Sequence, residues 1–238
     1  MFHMGKIELI ILRIWLVVSF VTLTWLLSEK LFNEESISSF KVIEAERINI
    51  RESDGTLRIA ISNKEKQDNG NIDGLEIHEP GTRHAGMIFF NDQGTEAGGL
   101  IFGGKSKGST GASLTFDRWR NDQTIQLLYS DSKSRYTSGL IVSDRPNDDT
   151  LLNLVKRQKS IKKLQGQELK QANTKLSEDI KSKKINLGTT RVFSGIKNKV
   201  AQYVLYDSDG KVKVKISAEP NKPGKIELFD NDGNLISR

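Results

Sequence analysis

RINIRESDGTLRIAIS, residues 47–62, is the stretch from which the rest of the chain can be read. Asp54-Gly55 divides two runs in which apolar and polar residues alternate, the pattern of two half-buried strands joined by a tight turn. Taking Asp54 and Gly55 as the central pair of a type I′ turn sets the register. Glu52 then faces Leu57, Ile50 faces Ile59 and Ile48 faces Ile61. The four isoleucines share one face, while Asn49, Arg51, Arg58 and Ala60 share the other. The isoleucine face is expected to pack and the other to be wet, as an antiparallel sheet allows.

The same hairpin recurs. QYVLYDSDGKVKVKIS, residues 202–217, repeats it around Asp209-Gly210, with Asp207 facing Val212, Leu205 facing Val214 and Tyr203 facing Ile216. A third copy closes the chain, Ile226 and Leu228 leading through Asp230 to Asp232-Gly233 and Leu235. AGMIFFNDQGTEAGGLIFGG, residues 85–104, places two apolar runs around Asn91-Asp92-Gln93-Gly94 and reads as a further hairpin, or as strand, turn and bulged strand. Ser113–Phe116, Thr124–Tyr129 and Ser138–Val142 are further short strands, and Asp144-Arg145-Pro146 ends the run. The expected fold class is mainly β: an antiparallel sheet built from repeated Asp-Gly hairpins, with an N-terminal transmembrane helix and one amphipathic basic helical segment.

Leu9–Leu27 is apolar apart from Arg13 and a few Ser and Thr, and its nineteen residues span roughly 28 Å as a helix, close to the thickness of a hydrocarbon core. Arg13 can snorkel at the inner end and Trp25 can anchor the outer one. The uncharged part, Ile14–Leu27, also has the length of a signal-peptide core, but LLSEKLF after it offers no small-x-small cleavage site. Lys6 and Arg13 precede the span, whereas Glu29, Glu34 and Glu35 follow it. The positive-inside rule then predicts a single-pass signal anchor with the N-terminus inside and the bulk of the chain exported.

From Asp149 the period changes from two to between three and four. Leu151, Leu154, Val155, Ile161, Leu164, Leu169, Ala172, Leu176 and Ile180 recur at helical steps, which predicts one amphipathic helix or two broken near Gly166, with Asp149 or Thr150 as N-cap. The expected organisation is a tail and anchor over 1–27, a stalk over 28–40, a β domain over 41–146, the basic helix over 147–188 and C-terminal hairpins over 189–238 that can pair with the first sheet.

The net charge of +6 is unevenly spread: Leu151–Lys199 holds thirteen Lys or Arg against three Asp or Glu, a net +10, and the other 23 basic and 27 acidic residues give −4. Lys156, Arg157, Lys159, Lys162 and Lys163 form one cluster, and Lys181, Lys183 and Lys184 a second. Such a face suits anionic lipid or another polyanion, or is simply the solvated side of a helix that packs on the sheet. Nucleic acid fits less well, because no aromatic interleaving or reading motif accompanies the charge.

Catalytic motifs are scarce. With no cysteine the chain has no thiol nucleophile, thiolate metal site or disulfide framework. Acids two apart at the turns (Glu52 and Asp54, Asp207 and Asp209, Asp230 and Asp232) invite comparison with a calcium loop, but they lack its glycine and bidentate Glu positions, and turn chemistry explains their spacing. His78 and His84 flank Glu79 and a Pro-Gly turn in HEPGTRH, a spacing that matches no ligand pattern. Gly98, Gly99, Gly103 and Gly104 lie inside a strand pattern with no phosphate-loop signature, so a bulge or a close approach of backbones is expected there. No cofactor is called for.

The run from ERINIRESDGTLRIAISN through AGMIFFNDQGTEAGGLIFGG to SGLIVSDRP, then RVF and the closing SDG and NDG hairpins, resembles a family of uncharacterised bacterial proteins with an N-terminal membrane span. The resemblance implies a bacterial, envelope-facing origin and a mostly β fold, and it implies no activity.

The expected function is that of a membrane-anchored, non-enzymatic envelope scaffold or binding module acting through β-sheet surfaces, with a protein partner or self-association at a sheet edge. The alternatives are an envelope enzyme on glycan or lipid, with a site near residues 85–104 drawing on Asp92, Glu96, His78 and His84, and a cytoplasmic contact with nucleic acid or lipid through the basic helix.

Overall fold

The structure is a computed structural model that describes residues 5–32, 38–105, 108–133 and 135–237, and the chain divides into two units, Met1–Glu44 and Ala45–Arg238. In the first unit α1 runs over Lys6–Phe32, and within it Ile7–Ser28 is long and apolar enough to cross a membrane. Hydrocarbon offers no partner for a stray hydroxyl. Thr22 and Thr24 donate back to the carbonyls of Val18 and Phe20, both four residues earlier, which would leave neither hydroxyl unpartnered in such a setting. The helix continues past the expected end at Leu27, so the first residues of the predicted stalk are helical, and residues 33–37 of that stalk lie outside the described residues.

The second unit is dominated by one antiparallel sheet. Its strands are β1 (Arg47–Arg51), β2 (Leu57–Ser62), β5 (Ala85–Phe90), β6 (Glu96–Lys105), β7 (Ser109–Asp117), β8 (Gln123–Ser132), β9 (Arg135–Asp144), β10 (Thr189–Lys197), β11 (Val200–Tyr206), β12 (Val212–Ala218), β13 (Lys225–Phe229) and β14 (Leu235–Ser237). These twelve strands lie side by side in chain order. A separate two-stranded ribbon, β3 (Asn71–Ile72) with β4 (Leu75–Glu76), interrupts the path between β2 and β5. Two helices, α2 (Thr150–Ile161) and α3 (Gly166–Lys181), interrupt it between β9 and β10. Because β9 pairs with β10 from Thr189↔Asp144 to Lys197↔Thr137, the C-terminal hairpins extend the first sheet instead of forming one of their own.

The Asp-Gly turns form, but in a different class from the one expected. The Gly55 N–H donates to the Glu52 carbonyl and the Glu52 N–H to the Thr56 carbonyl, both at 2.9 Å, and Gly55 has a positive φ while Asp54 does not. This is the three-residue hairpin loop ending on a left-handed glycine bulge, not the two-residue type I′ turn. The bulge leaves Ile48↔Ile61 and Ile50↔Ile59 as expected, but it moves Leu57 opposite Arg51 instead of Glu52. Residues 91–95, 207–211 and 230–234 repeat the same pair of backbone bonds. In those three the leading Asn or Asp also folds its Oδ1 back onto two loop N–H groups, as Asp207 does with Asp209 and Lys211 at 2.9 Å each. The acids two apart are therefore turn chemistry.

The sidedness of the first hairpin is the reverse of the expectation. Ala60, from the face expected to be wet, is fully buried with Ile88 and Phe90 in a small core that Leu57 and Ile101 flank. Ile48, Ile50 and Ile61, from the face expected to pack, are exposed. The reason lies in the connection from β2 to β5, which crosses on the Ala60 side. There the Ser62 hydroxyl donates to Gln67, and the Gln67 amide donates to the His84 carbonyl.

The basic segment forms two helices, separated at residues 162–165, with Gly166 opening the second at a positive φ. Leu154, Ile161 and Leu176 form their common core. The pair is tied to the sheet's turns. Arg120, between β7 and β8, pairs with Asp149 just ahead of α2 at 3.0 Å, and Arg145 donates to the Leu187 carbonyl. Asp149 caps α2 by position alone, with no side-chain cap bond, and the Thr150 N–H donates to the Asp148 carboxylate instead.

Candidate functional site

Residues directly opposite one another in an antiparallel sheet share a face, and the registers join into ladders that cross almost the whole sheet. The ladder nearest the Asp-Gly turns runs Ile50, Ile59, Phe89, Gly98, Phe116, Ile125 across β1 to β8, and continues as Val142, Val192, Leu205, Val214 and Leu228. A second ladder runs Ile48, Ile61, Met87, Leu100, Leu114 and Leu127, then Leu140, Ser194, Tyr203, Ile216 and Ile226. A third alternates small and large side chains strand by strand: Ala85, Phe102, Ala112, Tyr129, Ser138, Ile196, Ala201.

Apart from Gly98 and a few Ser and Ala, this face is aliphatic or aromatic, and no side chain on it is buried among the described residues. Phe116 is 51% exposed, Leu127 50%, Ile216 44% and Ile226 57%. Twelve strands at about 4.8 Å and three ladders about 7 Å apart make a patch of roughly 1,000 Å². The largest apolar patch on a typical soluble monomer is about 300–600 Å². Two shallow depressions on this face, of about 350 and 520 Å³, are lined around Leu100, Leu127 and Leu140 and around Tyr203, Ile216 and Ile226. Gly98 is glycine for a geometric reason: it sits at the bulge after Ala97 with a positive φ, and a Cβ there would run into the Thr115 carbonyl. Gly103 leaves room for the His84 ring in the same way.

The opposite face holds the polar alternative, a cavity of about 170 Å³ lined by His78, Arg83, Glu96, Asp117, Arg120 and Asp122 among others. Arg83 grips Glu96 with two bonds of 2.7 and 2.8 Å, both side chains being largely buried. Burial, and then the charges of Glu96 and Asp122, push the Asp117 carboxyl up to about 7. Its Oδ1 and the Arg120 Nε are buried without a hydrogen-bond partner among the described residues. Burial and the nearby Arg83 hold the His78 imidazole below its ordinary value.

Of the residues singled out for an enzyme, His78 and Glu96 meet in this cavity, and Glu96 is already committed to Arg83. His84 lies at a different depression, beside Gly103 and Ser113, and Asp92 pairs with Arg58 on the surface. Asp117, Arg83 and Arg120 were not singled out from sequence, where an acid and two arginines at strand ends look like any others. Among the described residues no group of three or more His, Asp or Glu is placed to hold a metal.

The basic clusters are partly spoken for. Arg157 pairs with Asp179 at 2.7 Å, Lys162 with Glu79 at 2.7 Å and Lys183 with Asp209 at 3.0 Å. Lys156, Lys159, Lys163, Lys181 and Lys184 have no acid within ion-pairing distance among the described residues, and they are spread over α2, its link to α3, the end of α3 and the turn after it. The solvated face and the anion contact both remain open to these five. No protein-family model, no curated protein and no solved structure matches the chain.

Proposed function

We propose that this chain is a membrane-anchored, non-enzymatic binding module of the bacterial envelope, and that its working surface is the apolar face of the sheet. The observation that carries the reading is the open face itself: apolar ladders, two of them running from β1 to β13, that no other described part of the Ala45–Arg238 unit buries. Domains are stable when an apolar sheet face meets a second layer, and a layer from outside the sheet unit would complete this one. The anchor over Ile7–Ser28 and the acids that follow it support an exported position, with the N-terminus inside.

The test uses the absence of native cysteine. Leu127→Cys on the apolar face and Ser130→Cys on the opposite, exposed face are introduced singly and labelled in spheroplasts with a membrane-impermeant maleimide. Protection of the first and labelling of the second is the expected result. Equal labelling of both would remove the binding-module reading, and labelling of neither until lysis would reverse the orientation.

A second reading, an envelope enzyme, rests on one specific observation: Asp117, near pH 7 in its titration, sits with His78 in a cavity large enough for a small polar group. Asp117→Asn and His78→Ala variants that fold and retain the full cellular phenotype would eliminate it.

A further inference from the structure

We infer that the occupant of the apolar face is a second copy of this chain, stacked face to face about a two-fold axis that runs parallel to the strands between β8 and β9. The inference rests on the reading of that face as a binding surface and names its partner. Size is the first reason. The face is about 55 Å long, twelve strands at about 4.8 Å each. Its area of roughly 1,000 Å² exceeds the roughly 800 Å² that each partner contributes to a stable interface. A second copy covers it from end to end with a surface of the same outline, as an isologous contact requires.

The second reason is the alternation in the third ladder. An axis along the strands through the middle of a twelve-stranded sheet places the strand in position n of one copy over position 13−n of the other. Odd positions therefore always meet even ones. In this ladder the large side chains, Phe102, Tyr129 and Ile196, occupy even positions, and the small ones opposite them occupy odd positions. Phe102 would seat on Ala201 of the other copy, Tyr129 on Ser138 and Ile196 on Ala112. Each projection meets a hole, and the sheets stack in the aligned manner with cores about 10 Å thick.

The pair of Ala112 and Ile196 gives a test that intrachain packing does not mimic, because β7 and β10 are separated by β8 and β9 within one sheet. The full chain is purified in mild detergent and its mass is followed on dilution, with thermal unfolding to confirm that each variant folds. The native chain should be a dimer. Ala112→Ile and Ile196→Ala should each weaken dimerisation about tenfold or more, and the double variant A112I/I196A should recover most of that loss. Leu127→Cys, a milder change near the axis, should be protected from maleimide in the dimer and exposed on dilution.

A dimer whose dissociation constant none of these variants shifts associates through another surface and overturns the proposal. So does a double variant as weak as the sum of its parts. A monomer that carries phospholipid by native mass spectrometry, released by Leu127→Glu, refutes the second copy while leaving the binding-module reading intact. A monomer with no bound lipid and with Leu127→Cys freely labelled refutes both.

Discussion

Replacing Asp117 by Asn should make the protein more stable, and by an amount that depends on pH. Asp117 ends β7, where Glu96 and Asp122 face it with like charge and Arg83 and Arg145 supply the opposing one. Burial and the two acids outweigh the arginines, so the carboxyl titrates near 7 instead of at the ordinary 3.8. Below both values folded and unfolded chains are alike protonated, and the group contributes nothing. Between them the unfolded chain releases the proton that the folded chain keeps, so native stability falls as pH rises, and above 7 the full penalty is in place. The penalty integrates to about 1 kcal/mol at pH 4.5 and about 4 kcal/mol at pH 8. Asn carries no such penalty. Urea unfolding of the detergent-solubilised native chain and the D117N variant, followed by tryptophan fluorescence, with Trp119 two residues away, should show the variant's advantage growing across that range. A gain below about 1 kcal/mol at pH 8, or one that does not shrink toward pH 4.5, would refute the account of Asp117 as a carboxyl strained by burial.

Three further outcomes follow from the geometry. Arg83→Met strands the Glu96 carboxylate, now bound at 2.7 Å in a largely buried pair, and should cost about 3 kcal/mol in urea unfolding; Lys162→Met breaks an exposed pair and should leave the midpoint within error. Gly55→Ala forces a Cβ onto a residue at φ +89° and should cost about 1 kcal/mol, although nothing lies within 4 Å of that position, so the loss should persist in high salt. Asp207→Ala removes the acceptor for two loop N–H groups that hold its carboxyl below the usual range. It should lower the thermal midpoint at neutral pH, and the difference should vanish as pH falls through the folded-state pKa and the native carboxyl protonates.

What the sequence made legible was local. Alternation and Asp-Gly marked most of the strands, and the change of period at Asp149 marked the helices, because each signal is carried by residues within one turn or hairpin. The turn class was misread for a reason of the same scale. Asp-Gly suits either a two-residue turn or the last two residues of a three-residue loop; Asn91, Asp207 and Asp230 support the longer loop by accepting two N–H bonds each, whereas the first hairpin leads with Glu52 and reaches the same loop with Asp54 accepting from the Thr56 N–H. In the cavity, by contrast, Arg83, Glu96, Asp117 and Arg120 come from three separate loops or strand ends, and no periodicity links residues that only the sheet brings together.

The inverted sidedness of the first hairpin has the same root and a functional consequence. Alternation tells which residues share a face; it does not tell which face the chain can cover. The connection from β2 to β5 bonds to Ser62, on the side of the sheet where Ala60, Ile88 and Phe90 are buried, and so places covering material on the less apolar face. Ile48 and Ile50 at one end of the sheet and Ile226 and Leu228 at the other are thereby left on the uncovered side, along with every ladder between them. Had the sheet been a single hairpin or three strands wide, such a face would be minor. Strand neighbours that follow chain order for twelve strands turn the same alternation into an apolar surface about 55 Å long, the kind of surface that marks an interaction site.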